Sequence, residues 1–149
     1  MKLLLQTDDS VSSFILRVTL GLVILFHGAQ KVLGWYGGFG FTGTVGFFTD
    51  QLHIPYLLAV LVPIAEFFGS LGLIAGLLSR IAAFGIACVM VGGIYLIHWQ
   101  NGFSMNWFGK QSGEGIEFSL LVLGISLALM ISGSGKWSLD RIVSNKMAK

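Results

Sequence analysis

The chain has 149 residues, 54% of them hydrophobic and only 11% charged, with a mean hydropathy of +0.82. A water-soluble domain coats itself with about a quarter charged residues, so these values exclude one and predict a single integral membrane domain over 1–149. The net charge of +2 has a topological explanation given below and points to no nucleic-acid partner, and the lone Cys88, expected to be a small core residue, excludes an internal disulfide or CxxC dithiol.

The opening MKLLLQTDDS has two aspartates after its leucines and no cleavage site, so it does not read as a signal peptide. A first spanning helix is expected over about 13–34, with Ser10, Ser12 and Ser13 offering cap side chains and Arg17 snorkelling back to the headgroups. Val18 to Phe26 carries no charge; polarity then returns as His27, Gln30 and Lys31, three and four residues apart and so on one face. That face is expected to look into the bundle.

The connection from Trp35 to Ile54 is rich in glycine and in Trp, Tyr and Phe. Glycine argues against a spanning helix and the aromatics against a free aqueous loop. A Gly-rich turn followed by a short interfacial helix, about Thr44 to Leu52, would lie over the outer surface as a lid, with an ordinary packed loop as the alternative. His53 reads as a surface residue.

The second span, about 55–78, is long enough to cross a hydrocarbon core roughly 30 Å thick. Pro63 lies inside it, removes the bond to the carbonyl of Ala59 and is expected to bend it. One turn on comes Glu66, roughly 16 Å below the outer start of the helix. A carboxylate at that depth should face protein rather than lipid. Gly72 and Gly76 form a GxxxG pair that permits close helix contact, within the chain or between copies in a homo-oligomer.

A turn at Leu78 to Arg80 leaves room only for reversal into a third helix, about 81–99, ending near His98 and Asn101. After a second aromatic, Gly-rich connection, a fourth helix is expected over about 115–132, with Glu117 in its first turn, and a basic tail over 133–149. Seven of the nine cations, Lys2, Arg17, Arg80, Lys136, Arg141, Lys146 and Lys149, fall on the side of the termini, leaving Lys31 and Lys110 on the other. This bias predicts cytoplasmic termini and outward-facing aromatic loops. The fold class is therefore an all-α, integral membrane four-helix bundle with a short outer interfacial helix between helices 1 and 2. Its inner half is expected to be apolar and its outer half to gather His27, Lys31, Glu66, His98, Asn101 and Glu117.

Polar groups within a membrane usually line a site or a pathway. A slot for a quinone-like or small apolar ligand fits first. Glu66, His98 and His27 would there handle protons, with Lys31, Gln30, Asn101, Glu117 and Trp35 contacting the ligand. A small proton-coupled transporter using Glu66 and a purely structural ion pair are the alternatives. Haem held by His27 and His98 is disfavoured, since their expected depths differ by more than a turn. No metal site is expected, since no residues stand at reliable ligand spacing.

The segments HGAQKVLGWYGG at 27–38, EFFGSLGLIAGLLSR at 66–80, HWQNGF at 98–103, EFSLLVLG at 117–124 and GSGKWSLD at 133–140 occur in the order found in the DoxX family of small bacterial membrane proteins, which the chain resembles over nearly its whole length. The resemblance implies a subunit in the bacterial cytoplasmic membrane, associated with quinone-linked oxidoreductases and with redox or thiol-stress tolerance. It maps the family's polar positions onto His27, Lys31, Glu66, His98, Asn101 and Glu117. With no haem motif, flavin fingerprint or cysteine pair, redox activity would need a bound cofactor or a redox partner protein; a non-enzymatic assembly or stress-tolerance factor is the remaining alternative.

Overall fold

The computed structural model describes residues 5–147, so two of the seven counted cations, Lys2 and Lys149, lie outside it. Its elements are α1 (Val11–Leu33), a 3-10 turn (Trp35–Gly37), α2 (Gly40–Asp50), α3 (Tyr56–Ala75), α4 (Ser79–Gly93), which runs on through a π-helical turn (Ile94–His98) and a 3-10 turn (Trp99–Asn101), α5 (Glu117–Ser132) and α6 (Leu139–Met147). No strand occurs among the described residues. The helices pack in a ring, α1 on α3, α3 on α4, α4 on α5 and α5 back on α1. Three segments, Val11–Leu33, Tyr56–Ala75 and Ser79–Asn101, are long and apolar enough to cross a membrane, and α5 is a shorter apolar helix. The protein is a helical membrane bundle.

Side-chain exposure agrees with a lipid surround. Leu20, Ile24, Leu73, Ala83, Ile86, Val122 and Leu129 form the buried core. Phe68 at 61% and Leu121 at 65% exposed face outward from the spans, a disposition water would penalise and acyl chains satisfy. Cys88 is exposed on α4, not in the core as expected. Its neighbours at helical spacing, Phe84 and Val91, are exposed with it, so this face of α4 meets lipid.

The interior at the end that carries the termini is not apolar, contrary to the sequence expectation. Arg17 does not snorkel: it is 1% exposed. Its Nε donates to Ser134 O (2.8 Å), Nη1 to Leu73 O (2.9 Å) and Ile74 O (2.6 Å), and Nη2 to Lys136 O (3.3 Å) and Trp137 O (2.7 Å). All five guanidinium N–H groups are thereby satisfied, and two of the acceptors belong to the last turn of α3, where a cation is favoured by the helix dipole.

Asp140, also 1% exposed, completes the arrangement. Its carboxylate accepts from the backbone N–H of Leu78 (2.7 Å) and Ser79 (3.1 Å), at the positive N-terminus of α4. The Ser134 hydroxyl links Asp140 to Ser79. Between these charges α3 reverses into α4 through Gly76 (φ 68°) and Leu78 (φ 51°), a left-handed conformation strained for leucine. The tail is therefore not a free basic extension: 133–140 folds back as a plug across the ends of α1, α3 and α4, and Arg80 ties the carbonyls of Gln6 and Met130 to the same end.

Candidate functional site

Gly28 sets the register between α1 and α3. A Cβ placed on it would lie 2.7 Å from Phe67 Cα and 3.0 Å from Glu66 C, both backbone atoms. Only glycine lets the two helices approach this closely beside the membrane carboxylate. From this level α1 has five residues left, about 8 Å of rise, whereas α3 continues for ten, about 15 Å. The resulting step is filled by α2. Thr44 Oγ1 donates to Lys31 O (3.2 Å), satisfying a carbonyl of the last turn of α1. Val45 and Phe48 pack on Ala59, with Val60 and Val62 of α3 around them. The expected outer helix is thus present, beginning four residues earlier than the sequence suggested and docked as a cap over the end of α1.

Beneath this cap the Lys31 ammonium donates to Glu66 Oε2 at 2.6 Å. Glu66 is 3% exposed as a residue; the Lys31 side chain retains 26% exposure. The geometry is that of a short charge-assisted bond in a low-dielectric interior, where the attraction must offset desolvation of both ions. His27 lies one helical turn before Lys31, its ring 5.6 Å from that of Phe118 on α5 and 6.0 Å from that of Phe26. Gln30 is half-buried on the same helix, with its backbone covered by Gly38.

His98, Asn101 and Glu117 form a different structure. Their shared partners lie in the second connection: His98 Nδ1 is 2.9 Å from Glu114 O, and Asn101 Nδ2 donates to Glu114 O (3.1 Å) as well as to Ile97 O (3.2 Å) in its own helix. Glu117 Oε2 accepts from Met105 N (3.0 Å), and Glu114 Oε2 from Asn106 N (2.7 Å). Because a carbonyl can only accept, His98 carries its proton on Nδ1 and keeps Nε2 as the acceptor when neutral. The three residues therefore hold the loop that returns the chain to α5. Trp35 is 56% exposed, at the 3-10 turn after α1, with its ring edge-on to Tyr36.

Of the residues singled out from the sequence, the structure joins Lys31 directly to Glu66, with His27 on the same helix. It gathers His98, Asn101 and Glu117 into the loop network. Sequence reasoning missed the organising parts of both groups. Gly28 carries no signal beyond its place in the GAQK run, and Glu114 is one carboxylate in a Gly-rich connection. The π-helical turn at Ile94–His98, a feature frequent at functional sites, shifts the helix register just before His98 and leaves no mark in the hydrophobic pattern.

Replacing Gly28 with alanine should drive α1 off α3, because the clashing atoms are backbone and cannot swing aside. The expected loss is about 1–3 kcal/mol, read as a lower midpoint in thermal unfolding of the detergent-purified protein. Gly124→Ala, where a Cβ meets nothing within 4 Å, should leave the midpoint unchanged.

A family model for DoxX matches residues 12–99, and this stretch holds α1, the capping helix, the Lys31–Glu66 pair and the π-helical turn. The chain belongs to the DoxX family. It is 30% identical, over 159 aligned positions covering 96% of this chain and 88% of the relative, to the protein named "Uncharacterized membrane protein Rv3486" of Mycobacterium tuberculosis (strain ATCC 25618 / H37Rv). It is 27% identical over 133 positions, 89% of this chain and 87% of the relative, to "Putative oxidoreductase CatD" of Bacillus subtilis (strain 168). No solved structure matches. This DoxX protein is thus a bacterial membrane protein, and the two relatives align along most of their own lengths.

Proposed function

We propose that this DoxX protein is a membrane subunit of a redox-linked, quinone-associated system in the bacterial cytoplasmic membrane, with both termini in the cytoplasm. It binds a quinone-like or other small apolar ligand at the Lys31–Glu66 pair beneath α2. The observation that carries the reading is the pair itself. A cation and an anion 2.6 Å apart, inside an apolar bundle and beside an imidazole, are a costly arrangement. They supply what a carbonyl ligand that gains protons requires: a donor at Lys31 and a proton-exchanging carboxyl at Glu66. The name of the Bacillus relative, which calls that protein an oxidoreductase, points the same way. With one cysteine the chain offers no dithiol, so the electrons come from a partner protein or a bound cofactor, and Lys31 and Glu66 bind, orient and exchange protons.

Glu66→Gln keeps the shape of the side chain and removes its charge. Titrating the purified variant with a short-chain quinone should show affinity roughly 10- to 100-fold weaker than wild type, the value of a hydrogen bond to a charged group. Unchanged affinity would remove the reading. Equal losses of thermal stability and of binding would instead assign the pair to structure alone.

A further inference from the structure

Helix α6 is amphipathic in the wrong sense for a helix that serves only the protein it packs against. The residue it buries is charged, Asp140, and the half-buried ones are Arg141 and Ser144. Its apolar residues, Leu139, Ile142, Val143 and Met147, at helical spacing along one side, are 43%, 53%, 37% and 42% exposed. Beside this side, Trp137 is 69% exposed although its backbone sits in the strained left-handed region (φ 53°). That conformation is held by Arg17, which takes the Trp137 carbonyl, while Phe14 meets the indole edge-on at 5.0 Å. The plug thus holds a tryptophan outward at the point where the chain leaves α5.

Next to this apolar side lies an open cleft of about 440 Å³, with Lys136, Arg141 and Asn145 among its polar residues and Trp137 and Ile142 among its apolar ones. Asp9 also lines it, but Arg141 donates to that carboxylate, and this bond holds the Asp9 carboxyl below its ordinary range. The two charges offset each other, and Lys136 is left as the net charge of the cleft.

We propose that α6 lies in the plane of the membrane interface at the termini end and that the cleft seats the phosphate of an anionic phospholipid. The phosphate meets Lys136 and the outer N–H groups of Arg141, and the acyl chains run along Trp137 and Ile142. The link from α5, residues 133–138, is pinned by Arg17, and Asp140 of α6 is pinned to the start of α4, so α6 stays at the level at which that spanning helix ends. Its exposed apolar side follows on from Ile131, 79% exposed at the last turn of α5 and already facing lipid. Lys146, in the last turn of α6, can extend its stem to the same headgroup layer. Apolar burial and headgroup charge together are the two terms that hold such helices at a surface. This inference does not depend on the ligand assigned to the Lys31–Glu66 pair.

The test uses the whole protein in nanodiscs. With Cys88→Ser as background, nitroxides at Val143→Cys and Asn145→Cys, on opposite sides of the helix, report depth. The Val143 label should be reached by oxygen in preference to a water-soluble nickel relaxant, and the Asn145 label should show the reverse. Two equally water-accessible labels would overturn the proposal, and so would a Val143 label shielded from both relaxants in a concentration-dependent way, the mark of a second copy on this side. For the headgroup, extraction from mixed phosphatidylglycerol and phosphatidylcholine followed by intact-complex mass spectrometry should show several-fold enrichment of the anionic lipid. The K136Q/K146Q variant should bring the two lipids to near-equal retention. No enrichment in the wild type, or the same enrichment in the variant, would refute the lipid site.

Discussion

Arg17→Lys should be among the most damaging conservative substitutions in this protein, lowering its apparent melting temperature in detergent by about 10 °C. The guanidinium places five N–H groups against five carbonyls on α3 and the plug, whereas an ammonium has three donors in a tetrahedral cone. At least two carbonyls then lose their partner in a site with 1% exposure, at about 1–3 kcal/mol each. For a chain of this size each kcal/mol moves the midpoint by roughly 2–4 °C. Asp140→Asn should do less, because the amide oxygen still accepts from one of the Leu78 and Ser79 N–H groups and only the other is lost. Since Ser134 contacts both Arg17, through its carbonyl, and Asp140, through its hydroxyl, the double variant should fall short of the sum of the singles. Differential scanning fluorimetry at a fixed scan rate reads all three. A midpoint for Arg17→Lys within about 1 °C of wild type would mean that water had entered to solvate the orphaned carbonyls and that the plug is looser than its hydrogen bonds indicate.

What the sequence made legible follows from which forces act locally. The spans could be read because a bilayer demands continuous apolar runs whatever the tertiary structure, and α2 because glycine and aromatic density together disfavour both a span and a free loop. The Lys31–Glu66 pair was within reach for a similar reason. His27, Gln30 and Lys31 share a face that cannot meet lipid, and Glu66 is the carboxylate deep enough in the neighbouring span to need company. Arg17 was misread because its position in the second turn of α1 permits two fates, and only the return of a segment more than a hundred residues later decides between them. The signal was faint but physical: Gly133 and Gly135 flank Ser134 with left-handed backbone (φ 80° and 69°), and Ser138 and Asp140 follow, capping α6 and α4 respectively. A chain that merely trails into the cytoplasm has no use for such a sharp fold. His98, Asn101 and Glu117 illustrate the opposite error. Each lies at a helix end, where a polar residue can serve a ligand or hold a loop, and the carbonyl of Glu114, common partner of His98 and Asn101, carries no side-chain signature at all.

Removing the cation of the buried pair alone should hurt more than removing both ions, and the two single variants should differ sharply. Lys31→Met leaves Glu66, 3% exposed, without its cation; a stranded internal charge costs about 3–5 kcal/mol. Glu66→Gln leaves the ammonium instead, on a side chain with 26% exposure and four methylenes of reach, so it can turn toward the surface and the loss should be nearer about 1 kcal/mol. The double variant K31M/E66Q has neither charge to desolvate. It should be more stable than Lys31→Met alone, with a coupling energy of about 2–3 kcal/mol across the cycle, above the loss in Glu66→Gln. Stability and ligand affinity, measured on the same four proteins, then part company in a way that identifies what the pair is for. If the two charges serve packing and register only, the double variant regains function along with its melting temperature. If they hold a ligand that exchanges protons, it regains stability and still binds quinone weakly, since the amide and the thioether replace the charged groups whose hydrogen bonds hold the carbonyl. Recovery of both together would overturn the binding site and leave a bundle whose buried ions fix the register of α1 against α3.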